Sequence, residues 1–162
     1  MWDELRQRIE QLAPYRELLQ RLETGALGAP GANVRVSGLY GSARALVLAA
    51  AAARRPEPLL IIVPDPVRAR DAEDDLRVFG MEGVVSYPED EILPYDYHDP
   101  DRNLTGMQMS ALEALSEGRC RALVCTIRSV LKKVYPPGLY RELLVDVRAG
   151  TERDPYELVE AL

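Results

Sequence analysis

At 162 residues and 18.1 kDa the chain has the size of one ordinary domain, and 47% apolar with 28% charged residues is a globular composition, far from disorder. Twenty basic against 26 acidic side chains give a net charge of −6 and an isoelectric point near 4.9. That is the wrong sign for a domain that grips phosphate backbones unaided, because such binding comes from neutralising phosphates with Lys and Arg.

The first 22 residues read as amphipathic helix. Leu5, Ile9 and Leu12 recur at spacings of four and three, Leu18, Leu19 and Leu22 continue the stripe, and Pro14 kinks or divides it. Thr24 to Asn33 is small, Gly/Pro-rich and nearly uncharged, which is linker chemistry, so residues 1–33 read as a helical appendage with its linker. The packed domain then starts near Val34. Val34-Arg35-Val36 is a short strand candidate that runs through the turn Gly38-Leu39-Tyr40-Gly41 into an alanine-rich helix from about Ser42 to Arg55. Leu59 to Val63 is an unbroken apolar run of five, the pattern of a strand buried on both faces of a parallel sheet. Asp65 followed by Pro66 starts a helix that carries Ala69, Ala72, Leu76 and Phe79 on one face.

Val84 to Ser86 is a third strand, followed by a long acidic loop from Tyr87 to Asn103. A helix from about Leu104 to Ser116 shows Met107, Ala111 and Leu115 on one stripe. Ala122 to Cys125 is a fourth strand, and Thr126 caps a helix with Ile127, Val130, Leu131 and Val134 at i, i+3, i+4 and i+7. Pro136-Pro137-Gly138 stops it. Leu143 to Val147 reads as a fifth strand, and Asp154-Pro155-Tyr156-Glu157 as the start of a last helix, Pro155 to Leu162. Strands alternating with helices predict an α/β fold with a mostly parallel sheet and helices on both faces. A chain that stops just inside a helix reads as a piece of a longer protein.

Several chemistries are disfavoured. MWDELRQRIE is charged and is no export signal, and the longest apolar run, nine residues from Ala45 to Ala53, is too short for a bilayer, so the expected location is the cytoplasm. With two cysteines and one histidine there is no Cys/His set for structural zinc. Cys125, inside Ala122-Leu123-Val124-Cys125, reads as a small core hydrophobe. His98 has no nucleophile marked near it. The six carboxylates between Glu89 and Asp101 invite a calcium reading, but from Asp96 the alternate positions are His98 and Pro100, which fails the oxygen-ligand spacing. A solvated acidic loop is the simpler reading, although Tyr87, Tyr95 and Tyr97 equally suit a partner's surface.

One motif carries a possible nucleotide site. A strand, glycine turn and helix is where a phosphate loop lies, and the working motif is G-x-x-x-x-G-K-[ST]. Here Val36-Ser37-Gly38-Leu39-Tyr40-Gly41-Ser42-Ala43-Arg44-Ala45 puts Arg44 at the lysine, Ala43 at the second glycine and Ala45 at the Mg²⁺ ligand. Arg44 replaces a compact ammonium with a planar fork, and Ala45 has no oxygen. Gly38, Gly41, Ser42 and Arg44 therefore mark a vestigial nucleotide position, with no catalytic residue, cofactor or metal expected in this segment.

Four blocks together resemble the N-terminal, UvrB-like module of the bacterial transcription-repair coupling factors. They are GLYGSARAL, LLIIVPDPVRARDAEDDLRVF, YPEDEILPYDYHDP with its following helix, and ALVCTIRSVLKKVYPP, of which Glu91-Ile92-Leu93-Pro94-Tyr95 is the most specific. UvrB itself, an excision-repair ATPase and helicase with an intact phosphate loop, is the alternative, and Arg44 and Ala45 argue against it. A standalone binding protein using the Tyr-rich loop is a third reading. The resemblance implies a RecA/helicase-like, UvrB domain 1a-like body over residues 34–140 with a degenerate P-loop, and the start of a UvrB domain 2-like subdomain over 141–162. It further implies a non-catalytic module whose parent releases RNA polymerase stalled at lesions by ATP-dependent translocation on DNA, using ATP and Mg²⁺ in other domains. The module would recruit UvrA through the adjoining second subdomain.

Overall fold

The computed structural model describes residues 2–23, 33–89, 102–134, 136, 138–139, 147, 149–150, 152 and 154–156. Residues 1–131 form one compact unit and Lys132–Leu162 a second. In the first, α1 (Trp2–Glu10) and α2 (Ala13–Glu23) precede α3 (Ala43–Ala52). Then come β1 (Leu59–Val63), α4 (Pro66–Val78), β2 (Val84–Tyr87), α5 (Arg102–Ser116), β3 (Ala122–Thr126) and the single turn α6 (Ile127–Val130).

The three strands form a parallel sheet in the order β1-β3-β2, with Leu59 opposite Ala122 and Val84 opposite the same residue on the other side. The chain steps from β1 past β3 to β2, then back to the middle. Right-handed crossovers in opposite directions require their helices on opposite faces. That is the arrangement found. On one face Ala45 and Ala49 of α3, Ala69 and Leu76 of α4 and its C-cap residue Phe79 pack on Val84, Ala122 and Val124, flanked by Leu59, Ile61 and Val63. On the other face Ala111 and Leu112 of α5 meet Tyr87, Cys125, Val85 and Leu123. The α/β class, the parallel sheet and helices on both faces are as the sequence predicts.

Local chemistry explains the element ends. Asp65 is extended at the N-cap of α4 and accepts from the Arg68 amide at 2.8 Å, with Pro66 supplying the first helical turn. Pro14 falls in the first turn of α2, where its missing N–H costs nothing, and so divides two helices rather than bending one. Tyr15 and Leu19 of α2, with Ile9 and Leu18, pack on Ala50 and Ala51 of α3. At the other end of α3 the Arg121 guanidinium donates to three carbonyls, Ala52 and Arg55 through Nη2 at 2.7 and 2.6 Å and Pro56 through Nη1 at 2.5 Å. Carbonyls left orphaned at a helix C-terminus are thereby satisfied from the start of β3.

Four expectations are corrected. Residues 34–36 form no strand; they line an apolar groove of about 730 Å³ with Leu12 between the N-terminal helices, Tyr15 and Leu18 of α2, and Leu46 and Val47 of α3. β1 is parallel but not buried on both faces: Leu60 is 57% and Ile62 46% exposed, because β1 lies at the sheet edge and α5 sits over β2 and β3. The buried stripe of α5 is Gln108, Ala111 and Ala114, with Met107 and Leu115 exposed. Small alanines let the helix approach the sheet, and Gln108 Nε2 donates to the Pro88 carbonyl at 2.9 Å. α6 is one turn, and it turns its polar side inward: Ser129 is buried while Ile127, Val130 and Leu131 are exposed.

Most of the predicted acidic loop, most of the 24–33 linker, the fifth strand at Leu143–Val147 except Val147, and the last helix beyond Tyr156 lie outside the described residues. In the second unit, Asp154 Oδ1 accepts from the Tyr156 amide at 2.8 Å, the side-chain-to-backbone bond expected where a helix begins.

Candidate functional site

The glycine turn leads directly into α3. Gly38 and Gly41 have φ of 82° and 51°, the left-handed region that L side chains rarely enter. A Cβ on either would meet nothing within 4 Å, so backbone conformation, not crowding, is what selects glycine there. Ser42 is the N-cap residue of α3, but its φ and ψ of −69° and −6° are helical and its hydroxyl caps no α3 amide. Its Oγ instead donates to Asp75 Oδ1 of α4 at 2.8 Å.

Arg44 and Ala45 then part company. Arg44 is exposed and lines a cavity of about 760 Å³ between the turn, the end of β1 and α4, together with Arg68, Asp71, Asp74 and Asp75. Ala45 is 5% exposed and packs in the core against Leu76 and Val124. Two guanidiniums face three carboxylates, so the cavity does not offer the excess positive charge that a triphosphate requires. The position where a working loop carries its Mg²⁺-binding hydroxyl holds a methyl group in contact with the core. These residues do not fit a Mg²⁺-bound triphosphate. The structure thus brings together Gly41, Ser42 and Arg44 at one cavity; Gly38 stands at the start of the same turn.

A second polar cluster stands at the carboxyl ends of β2 and β3, where α/β sheets usually place their sites. Thr126 Oγ1 donates to Glu89 Oε2 at 2.5 Å and accepts from the Ser129 amide at 3.3 Å. With that proton committed to Glu89, the 3.1 Å contact between Thr126 and Ser129 hydroxyls has Ser129 as donor. Arg128 Nη1 lies 3.6 Å from Glu89 Oε1. Thr126 and Ser129 are both buried. The cluster is satisfied internally, and it ties the first acidic residue after β2 to the end of β3.

Among the described residues no three His, Cys, Asp or Glu side chains are grouped to hold a metal. Cys125 is 2% exposed with Sγ 3.7 Å from the Ile61 carbonyl, the core role expected of it. Burial pushes both the Cys120 and Cys125 thiols up, away from the reactive thiolate. His98 and the Glu91–Tyr95 block lie outside the described residues. Sequence reasoning missed Asp75 and Glu89. The first had a signal, since Asp71, Asp74 and Asp75 share one side of a helix at spacings of three and four. The second had none, because Glu89 is one carboxylate in a run.

No helix among the described residues is long and apolar enough to cross a membrane. The chain matches no family profile. It is similar to the transcription-repair-coupling factor of Myxococcus xanthus, 32% identical over 92% of this chain and 13% of the relative. It is also similar to that of Escherichia coli K12, 28% identical over 60% of the chain and 8% of the relative. The Staphylococcus aureus MRSA252 protein of the same name is 24% identical over 81% of the chain and 11% of the relative. The chain spans about an eighth or less of the length of these relatives. It belongs, as one module, to the transcription-repair-coupling factor family, whose name places it in DNA repair coupled to transcription.

Proposed function

We propose that this module is a non-catalytic framework within a transcription-repair-coupling factor, a helicase-type body whose nucleotide position is vestigial. The observation that carries the reading is the glycine turn. Its Ser42 hydroxyl is engaged by the Asp75 carboxylate, and its Mg²⁺-ligand position, Ala45, belongs to the hydrophobic core. Chemistry that needs several preorganised parts loses about a hundredfold or more for each one removed, and here the ammonium, the hydroxyl and the open anion site are all altered.

In this reading the whole protein acts in the cytoplasm on RNA polymerase stalled at DNA lesions. It releases the polymerase by ATP-dependent translocation, with ATP and Mg²⁺ held in other domains, and recruits UvrA through the subdomain that adjoins this one. The present module supports that surface and binds no cofactor of its own. Isothermal titration of the chain with ATP and Mg²⁺ is the test. The expected result is no saturable heat and no phosphate release. Micromolar binding with turnover, abolished by Arg44→Ala, would overturn the reading in favour of an ATPase half.

A further inference from the structure

α3 is apolar almost all round (ARALVLAAAA), and a helix of that kind is covered on every side. Two separate clusters cover it. Ala45 and Ala49, with Leu46 and Leu48, belong to the core shared with α4 and the sheet. Ala50 and Ala51, with Val47, pack instead against Tyr15, Leu19, Ile9 and Leu18 of α1 and α2. No apolar residue of α1 or α2 joins the core on the sheet, so the N-terminal helix pair is held through α3.

That second contact is thinly made. Its polar link is one ion pair, Arg54 Nη2 to Glu10 Oε1 at 2.9 Å, between the end of α3 and α1; both side chains are partly exposed, and pairs in that setting contribute little. The Tyr15 hydroxyl is buried there without a hydrogen-bond partner among the described residues, which works against docking. The described residues also leave the apolar groove of about 730 Å³ between α2 and α3. α1 has nine residues and α2 eleven, shorter than the roughly 12–15 below which an isolated helix is marginal in water. Neither helix persists away from α3, so docking and helix formation are one event.

We propose that α1 and α2 form a strap that docks on α3 and releases from it as one unit, folding and unfolding while the sheet core stays intact. Docked, the strap covers Val47, Ala50 and Ala51. Released, it bares that face of α3 and gives the Tyr15 hydroxyl water as a partner. The orphaned hydroxyl biases the strap toward release; the Glu10–Arg54 pair and the Tyr15–Leu19 patch bias it toward docking. The inference rests on packing alone and is independent of the vestigial nucleotide site.

Site-resolved hydrogen exchange on the 162-residue chain tests it. The hydrogen-bonded amides of α1 and α2 exchange through one shared opening, about a hundredfold or more faster than those of Leu76 and Val124. Tyr15→Phe slows that exchange by about two- to fivefold and Glu10→Gln speeds it by about the same factor, with Leu76 and Val124 unchanged. Ala50→Arg, on the strap side of α3, removes the protection of α1 and α2 and leaves that of Leu76 and Val124 within about threefold. Equal exchange in strap and core amides overturns the proposal. So does an Ala50→Arg variant whose core protection falls with the strap, since either result makes the helix pair part of one cooperative unit. Exchange that rises smoothly toward Trp2 and ignores both Tyr15→Phe and Glu10→Gln also overturns it, as simple fraying of a chain end.

Discussion

Replacing Arg121 with methionine keeps the length of an apolar stem and deletes the guanidinium that joins the start of β3 to the end of α3. Three acceptors lose their donor at once: the Ala52 and Arg55 carbonyls, both in partly buried bonds, and the Pro56 carbonyl, in an exposed one. Partly buried bonds to a charged donor contribute about 1.5–3 kcal/mol each, an exposed one less than about 1, and bonds sharing one group are not additive. A cation beside a helix C-terminus adds about 0.3–1 kcal/mol. Together these give a loss of about 3 kcal/mol, or a fall of about 10 °C in Tm for a unit of this size. Arg121→Lys keeps the charge but lacks the planar fork, so it recovers about half. Urea unfolding followed by circular dichroism reads both variants at constant m. A methionine variant within about 1 kcal/mol of the parent, or a lysine variant equal to it, would refute the idea that the fork geometry holds the helix end.

Gly83→Ala should destabilise by about 2–4 kcal/mol, because φ is +69° and the new Cβ would sit 2.6 Å from the Arg119 carbonyl oxygen and 3.1 Å from the Arg121 amide nitrogen. Gly38→Ala, with the same sign of φ but open space, should cost only about 1 kcal/mol, and thermal melts that rank the two the other way would contradict the clash. Tyr15→Phe should be neutral or stabilising by up to about 1 kcal/mol: the Tyr15 hydroxyl is buried without a hydrogen-bond partner among the described residues, and burial, reinforced by Glu10, pushes its ionisation up. Stability should hold from neutral pH to the ordinary thiol range and fall above it, because thiols raised by burial in the folded state bind their protons more tightly there than when unfolded. Urea midpoints between pH 7 and pH 10 check this, and Cys120→Ala with Cys125→Ala should flatten the slope.

The strand Leu59–Val63 and the capped helix after Asp65 could be read from the sequence to the residue, because both depend on neighbours within a few positions. So could the Thr126 cap, whose hydroxyl bonds the Ser129 amide. Long-range features were not legible. Nothing local distinguishes an apolar run buried on both faces from one left at an edge, which is why Leu60 and Ile62 read as core. The stripe of α5 misread by one position, since Gln108 is polar in composition yet buried by its bond to Pro88. At the glycine turn the sequence supplies the altered residues but not their surroundings. That Ser42 meets Asp75, 33 residues away, depends on α3 and α4 lying side by side.

The burial of Ala45 bears on what a redesign of the glycine turn would have to change. Installing a phosphate loop here takes more than two exchanges at exposed positions, because a threonine or serine at position 45 would set its hydroxyl against the core that contains Leu76 and Val124. An unpaired hydroxyl in such surroundings costs about 1–3 kcal/mol, a large share of the few kcal/mol that hold a small domain together. A metal-binding hydroxyl at that position would first require the interior to be rebuilt around it.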